Sequence, residues 1–181
     1  CSSGQEPYSL AMILREQAAQ MPGWRVEIVG TDISSEMVAK AKAGLYSQFE
    51  VQRGLPIQML VKYFKKEGDL WQIDAALRAM VRYREFNLLD DLKGLGTFDV
   101  VYCRNVLIYF DAETKGQILG RIRSIMPDDG VLFLGGAETV LGISNEFKPI
   151  PQFRGLYAPA AAGEVVPNLL KPPQGANTAG G

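Results

Sequence analysis

The sequence predicts an α/β fold of the doubly wound kind, a mostly parallel sheet with helices on its faces. Three observations carry this. Short apolar strands alternate with amphipathic helical stretches along most of the chain. Polar residues stand directly behind two of those strands, at Thr31-Asp32 and Arg104-Asn105, where open α/β sheets bind ligands. The alternation is broken once, at about 45–85, where a small antiparallel β-subdomain is predicted to be inserted.

Pro7 to Met21 places Leu10, Ile13, Leu14, Ala18 and Met21 on one helical face. Pro7 suits a first turn, and Pro22-Gly23 ends the helix. Val26 to Gly30 is a short apolar strand closed by Thr31-Asp32. Ser34 or Ser35 then caps a helix that runs through Lys42 to Gly44. In the insertion, Ile57 to Lys66 reads as a short helix, and Leu70 to Ile73 and Ala79 to Phe86 as strands of the antiparallel piece. On the second of those strands Arg78, Arg82 and Arg84 would share one face.

The rhythm then resumes. Phe98 to Cys103 reads as a buried strand, Asp111 caps a helix from about Ala112 to Met126, and Pro127 to Gly130 is a turn. Val131 to Leu134 is the next strand, and Phe153 to Tyr157 the last. The domain is expected to span 1–157. From Ala158 the composition turns to Ala, Pro, Gly and Asn, and 158–181 is expected to be a disordered tail. Chemistry is expected in the loops after Gly30, Cys103 and Leu134.

Composition narrows the function. With 47% hydrophobic and 22% charged residues the chain is ordinary globular protein, and a net charge of -1 gives no bulk argument for nucleic acid. There is no histidine, which removes the commonest general base and metal ligand. Cys1 and Cys103 form no CxxC pair, so reduced thiols and no metal site are expected. No run of about 18 apolar residues occurs, and no basic-then-apolar stretch opens the chain; a cytoplasmic location without membrane insertion is expected. The chain opens at Cys1, inside a motif, and reads as a piece of a longer protein.

Several residues could carry chemistry. Asp32 can accept both hydroxyls of a ribose, or cap the following helix. Ser2 to Pro7 is a small-residue loop feeding a helix start, without GxGxxG and without a phosphate-loop lysine. A weakly cationic ligand lacking phosphate suits it better than ATP or NAD. Glu6 there is also what a helix dipole favours. Asn87, after Phe86, can pair with a purine edge or simply make a turn. Arg104-Asn105 puts a charge and an amide behind a strand; Tyr109 is either functional or a half-buried ring with its hydroxyl at the rim.

Read together, Cys1-Ser2-Ser3-Gly4-Gln5-Glu6-Pro7-Tyr8-Ser9, Thr31-Asp32-Ile33, Phe86-Asn87-Leu88-Leu89 and Cys103-Arg104-Asn105-Val106-Leu107-Ile108-Tyr109-Phe110 resemble the chemotaxis-receptor methyltransferase family, over about residues 1 to 157. The resemblance implies a class I methyltransferase, Rossmann-like sheet and S-adenosylmethionine as cofactor. The implied activity is methyl transfer to glutamate carboxylates in the cytoplasmic helical region of chemotaxis receptors. Gln5, which stands where the family often has Glu, and Glu6 would lie near the cofactor's amino-acid end. Asp32 would hold the ribose, and Asn87 and Leu88 would border the adenine. Arg104 and Asn105 would line the cofactor pocket, with Arg104 and Tyr109 as catalytic candidates and Tyr109 close to the transferring methyl. An N-terminal helical domain and a first sheet strand of the family would precede Cys1.

For receptor contact the candidates are Arg82 and Arg84. Leu45 to Glu85 holds seven basic against five acidic side chains, a basic balance on a net-acidic chain. The short connection Lys65 to Leu70 resembles members that do without a tethering peptide. Two other classes stay open: a cofactor-binding regulatory module without catalysis, and a methyltransferase for another protein or a small molecule. A dinucleotide oxidoreductase ranks last for want of a glycine fingerprint.

Overall fold

The computed structural model describes residues 1–161. They fall into two compact units, Cys1–Asn87 and the part from Leu88 onward. The predicted α/β class holds: parallel strand pairs occur in both units, and the first unit also carries a small antiparallel sheet.

The first unit opens on α1 (Gln5–Glu16), which ends five residues before the expected Met21, because a separate 3-10 turn takes Ala18–Gln20. Strand β1 (Ile28–Asp32) follows, then α2 (Ser35–Ala43). Ser34 caps α2 by accepting from the Met37 N–H, and Gly44 closes it in the left-handed region. Next come β2 (Leu45–Ser47), α3 (Gln48–Gln52), α4 (Ile57–Tyr63), β3 (Phe64–Glu67), β4 (Leu70–Ile73), α5 (Ala75–Met80) and β5 (Val81–Glu85). Strands β2, β4 and β3 make the antiparallel sheet in that order, with Gly68-Asp69 as a two-residue hairpin turn.

Two expectations for the insertion are corrected. Residues 64–67 are strand, not the end of a helix. The stretch after Ile73 does not join the antiparallel sheet: Asp74 caps the short helix α5, and β5 runs parallel to β1 with Ile28 opposite Val81 and Asp32 opposite Glu85. The reason is visible in the burial. Val81 and Tyr83 face the core while Arg82, Arg84 and Glu85 are exposed, so β5 has the inward partners that β1 needs. Arg78 sits in α5 and not on the strand with Arg82 and Arg84.

The second unit holds β6 (Val100–Cys103), α6 (Ala112–Ser124), β7 (Val131–Leu134), β8 (Phe147–Pro149) and β9 (Leu156–Pro159), with sheet order β6-β7-β9-β8. Asp111 caps α6 as read from the sequence. Strand β6 is not buried as expected: it is the edge strand of this sheet, and Val100 and Tyr102 are exposed. Strand β8 is an addition to the expected strands: Pro149 and Pro151 argue against a strand in the sequence, yet an edge tolerates proline. Ala158 and Pro159, placed in the tail, are the last residues of β9, paired with Lys148 and Phe147. The Ala160 N–H donates to the Glu146 carbonyl at 2.8 Å, and of the expected tail 162–181 lies outside the described residues. No helix among the described residues is long and apolar enough to cross a membrane.

Candidate functional site

In the first unit the parallel pair β1–β5 delivers two sequence candidates to one end. Asp32 is the last residue of β1, the Phe86 N–H donates to its carbonyl at 2.8 Å, and Asn87 follows at once. The loop Cys1–Gly4 meets the same end. The Ser2 N–H donates to Asp32 Oδ2 at 2.9 Å, and the Ser34 N–H donates to Oδ1 at 3.0 Å. The Cys1 amino group donates to the Thr31 carbonyl at 2.7 Å and reaches Oδ2 at 3.5 Å.

This geometry separates the two readings of Asp32. Ser34, not Asp32, is the N-cap of α2. The carboxylate instead ties a loop to a strand end, and it keeps acceptor capacity, since a carboxylate offers about four lone-pair sites. Burial alone would raise its pKa; the N–H groups of Ser34 and Ser2 and the positive amino terminus outweigh that and hold it below the usual carboxylate range. An ionised acceptor at a strand end, with no lysine on the loop, suits a ribose and not a phosphate.

The loop itself is propped by residues the motif reading missed. Tyr46 on β2 donates its hydroxyl to the Ser3 carbonyl at 2.7 Å, and Tyr83 on β5 donates to the Gly4 carbonyl at 3.4 Å. Tyr8 packs edge-to-face on both rings, at 6.4 and 5.5 Å between centroids. Burial pushes the Tyr46 and Tyr83 hydroxyls far above the ordinary phenol range, so both stay protonated donors. The signal was there in part: a buried tyrosine needs a partner for its hydroxyl, and Tyr83 stands on the inward face of its strand. Gln5 is exposed and accepts from the Ser3 hydroxyl at 2.6 Å; Glu6 is half-buried in the first turn of α1.

In the second unit Arg104 and Asn105 form the turn at the carboxyl end of β6. Asn105 lies in the left-handed region at φ 59°. A 3-10 turn, Leu107–Tyr109, then buries Leu107 and leaves Tyr109 80% exposed, so Tyr109 is not a half-buried ring with its hydroxyl at the rim. Leu88 is half-buried. In the first unit, Arg82 and Arg84 lie on the exposed face of β5, where Arg82 forms an ion pair with Glu27.

The comparisons with known proteins agree with these motifs. Residues 1–155 match the family described as CheR methyltransferase, SAM binding domain. The chain is 42% identical to chemotaxis protein methyltransferase Cher2 of Pseudomonas putida over 154 residues, which cover 83% of this chain and 56% of that protein. It is 44% identical to chemotaxis protein methyltransferase 1 of Pseudomonas aeruginosa, over 83% of this chain and 56% of that one. The chemotaxis protein methyltransferase of Salmonella typhimurium is 36% identical, over 81% and 52%. The chain thus spans about half the length of the curated relatives it matches. A magnesium protoporphyrin IX methyltransferase from Synechocystis, solved with bound SAM, is similar at 19% identity over 72% of this chain and 57% of that chain, with a TM-score of 0.36; nothing rests on so loose a likeness. With 155 residues matched in order, and the motif residues standing at the strand ends, the chain belongs to the CheR methyltransferase family, as its SAM-binding domain.

Proposed function

We propose that this chain is the cofactor-binding and catalytic part of an enzyme that transfers a methyl group from S-adenosylmethionine to glutamate side chains in the cytoplasmic helical region of chemotaxis receptors. The observation that carries the reading is Asp32: an ionised carboxylate at a strand end, relieved of helix capping by Ser34 and still able to accept from a ribose.

The chemistry needs no histidine. A glutamate carboxylate is already ionised at neutral pH. The cofactor, when bound, supplies a methyl activated by a sulfonium. What falls to the protein is binding, alignment and exclusion of water. In this reading Asp32 accepts the ribose hydroxyls, and Gln5 and Glu6 serve the amino-acid end. Asn87 and Leu88 border the adenine. Arg104 and Asn105 contact the cofactor, Arg104 orients the substrate carboxylate, and Tyr109 offers its exposed hydroxyl to the reacting groups.

The direct test is transfer of labelled methyl from S-adenosylmethionine to receptor cytoplasmic segments by the intact protein, with alkaline release of methanol identifying an ester. Binding of S-adenosylhomocysteine without any transfer would convert the reading to a regulatory module. Tyr109→Phe is expected to lower kcat by roughly 2- to 12-fold, the value of one neutral hydrogen bond, with cofactor affinity unchanged. Equal kcat in wild type and variant removes Tyr109 from the mechanism.

For the receptor we propose the exposed Arg82 and Arg84 as a steering face. Reversing both to Glu is expected to leave folding and cofactor affinity intact, because an exposed pair such as Arg82–Glu27 contributes only about 0–1 kcal/mol. Receptor methylation should slow at low salt and lose part of its salt dependence. A salt profile identical to wild type rules the two arginines out.

A further inference from the structure

We infer that Glu138 is a positioning residue, which fixes the shape of the Arg104–Tyr109 segment and through it the methyl-transfer site; the inference rests on the function proposed above. Glu138 follows β7 in the stretch Leu134-Gly135-Gly136-Ala137-Glu138, and none of the motifs includes it. It is one of the buried polar side chains, 8% exposed. A buried carboxylate is costly unless its oxygens are fully served.

Here they are served entirely by backbone. Oε1 accepts from the N–H of Asn105 at 2.6 Å and of Gly135 at 2.8 Å. Oε2 accepts from the N–H of Val106 at 3.1 Å and of Ile108 at 3.2 Å. Four donors fill the roughly four lone-pair sites of a carboxylate. No lone pair is then left over for a substrate or a metal, so the group is an anchor.

What it anchors is the segment the motifs single out. Three of the four donors belong to residues 105, 106 and 108, which follow strand β6, the last of them inside the short 3-10 turn Leu107–Tyr109. Asn105 is held at φ 59°, a left-handed state that is uncommon outside glycine and that asparagine tolerates better than most side chains. The parallel pairing of Cys103 with Leu134 brings the two strand ends side by side, which puts Glu138 under the turn. The fit is close: a Cβ on Gly135 would lie 2.8 Å from both Asn105 Nδ2 and Glu138 Oε1.

The test uses the intact protein and Glu138→Gln, which keeps the volume but turns one acceptor into a donor facing N–H groups. Amide exchange at Asn105, Val106, Ile108 and Gly135 should speed up at least tenfold, with Ile118 and Leu132 unchanged. Below the melting temperature, S-adenosylhomocysteine should bind about tenfold more weakly. Receptor kcat, counted per folded molecule from the melting curve, should fall about tenfold with receptor KM unchanged. Gly135→Ala, which keeps the charge and crowds the same contact, should give the same pattern, and it decides the matter if the Gln variant does not fold. Wild-type exchange rates at the three turn amides would overturn the inference. So would an opened turn with affinity and kcat unaltered. Wild-type protein that binds no S-adenosylhomocysteine would defeat the proposed function instead, while the exchange rates still report whether Glu138 holds the turn.

Discussion

Asp32→Ala in the intact protein is expected to weaken S-adenosylhomocysteine binding by about 10- to 150-fold, the range that follows from losing a hydrogen bond worth about 1.5–3 kcal/mol to a charged group. The effect has two sources. In the proposed reading the ribose loses its acceptor. The loop also loses its tie, because the Ser2 and Ser34 N–H groups both donate to this carboxylate. Asp32→Asn separates them: the amide oxygen keeps one backbone bond, but the amide nitrogen cannot accept. Calorimetric titration of both variants measures the difference. Unchanged affinity in Asp32→Ala with an intact fold would leave Asp32 a loop anchor alone.

The pH dependence has a definite sign. The folded-state pKa of Asp32 is depressed, so its contribution to stability is fully present above the ordinary carboxylate range, near 4, and is lost as pH falls through the lower folded value. The stability gap between wild type and Asp32→Ala should therefore be flat from pH 8 to about 5 and close below that. Where Cys1 is joined to a preceding residue, the ammonium contribution is absent and the two N–H groups supply the depression. A gap that widens on acidification would contradict the assignment.

Much of this was legible from residue types. Apolar runs such as Val131 to Leu134 and caps such as Ser34 and Asp111 depend on local chemistry, and they stand where the pattern puts them. The positions of the candidates Asp32 and Arg104-Asn105 at strand ends were legible for the same reason. The misses are non-local. That β5 pairs with β1, and not with β4, depends on which surface Tyr83 and Val81 can fill, which no window of sequence contains. Tyr46 acts on Ser3 across 43 positions, and Glu138 on Asn105 across 33. Short elements were lost as well. A six-residue helix such as α5 is too brief to show a period, and the prolines around β8 conceal an edge strand.

The second large effect is expected at Gly4, where Gly4→Ala should destabilise the protein by about 2–5 kcal/mol and weaken cofactor binding with it. Two costs add. Gly4 sits at φ 93°, a conformation that costs an L-residue about 1–2 kcal/mol. The new methyl would also lie 2.9 Å from the Ala41 Cβ and 2.8 Å from the Tyr83 hydroxyl oxygen. Ala41 is fully buried on α2 and has no side chain to swing aside, so the helix or the loop must shift, an overpacking cost of about 1–3 kcal/mol. Either shift pulls the Gly4 carbonyl from Tyr83 and disturbs Ser2, whose N–H holds Asp32. For a chain of this size the melting temperature should drop by roughly 5–20 °C. Gly54→Ala supplies the control, since Gly54 has φ 84° but nothing within 4 Å of an added Cβ, so it carries the backbone cost alone. Thermal melts and S-adenosylhomocysteine titrations of the two variants isolate the packing part. If Gly4→Ala melts no lower than Gly54→Ala, the loop is not clamped between α2 and the tyrosines. Asp32 would then have to hold it unaided.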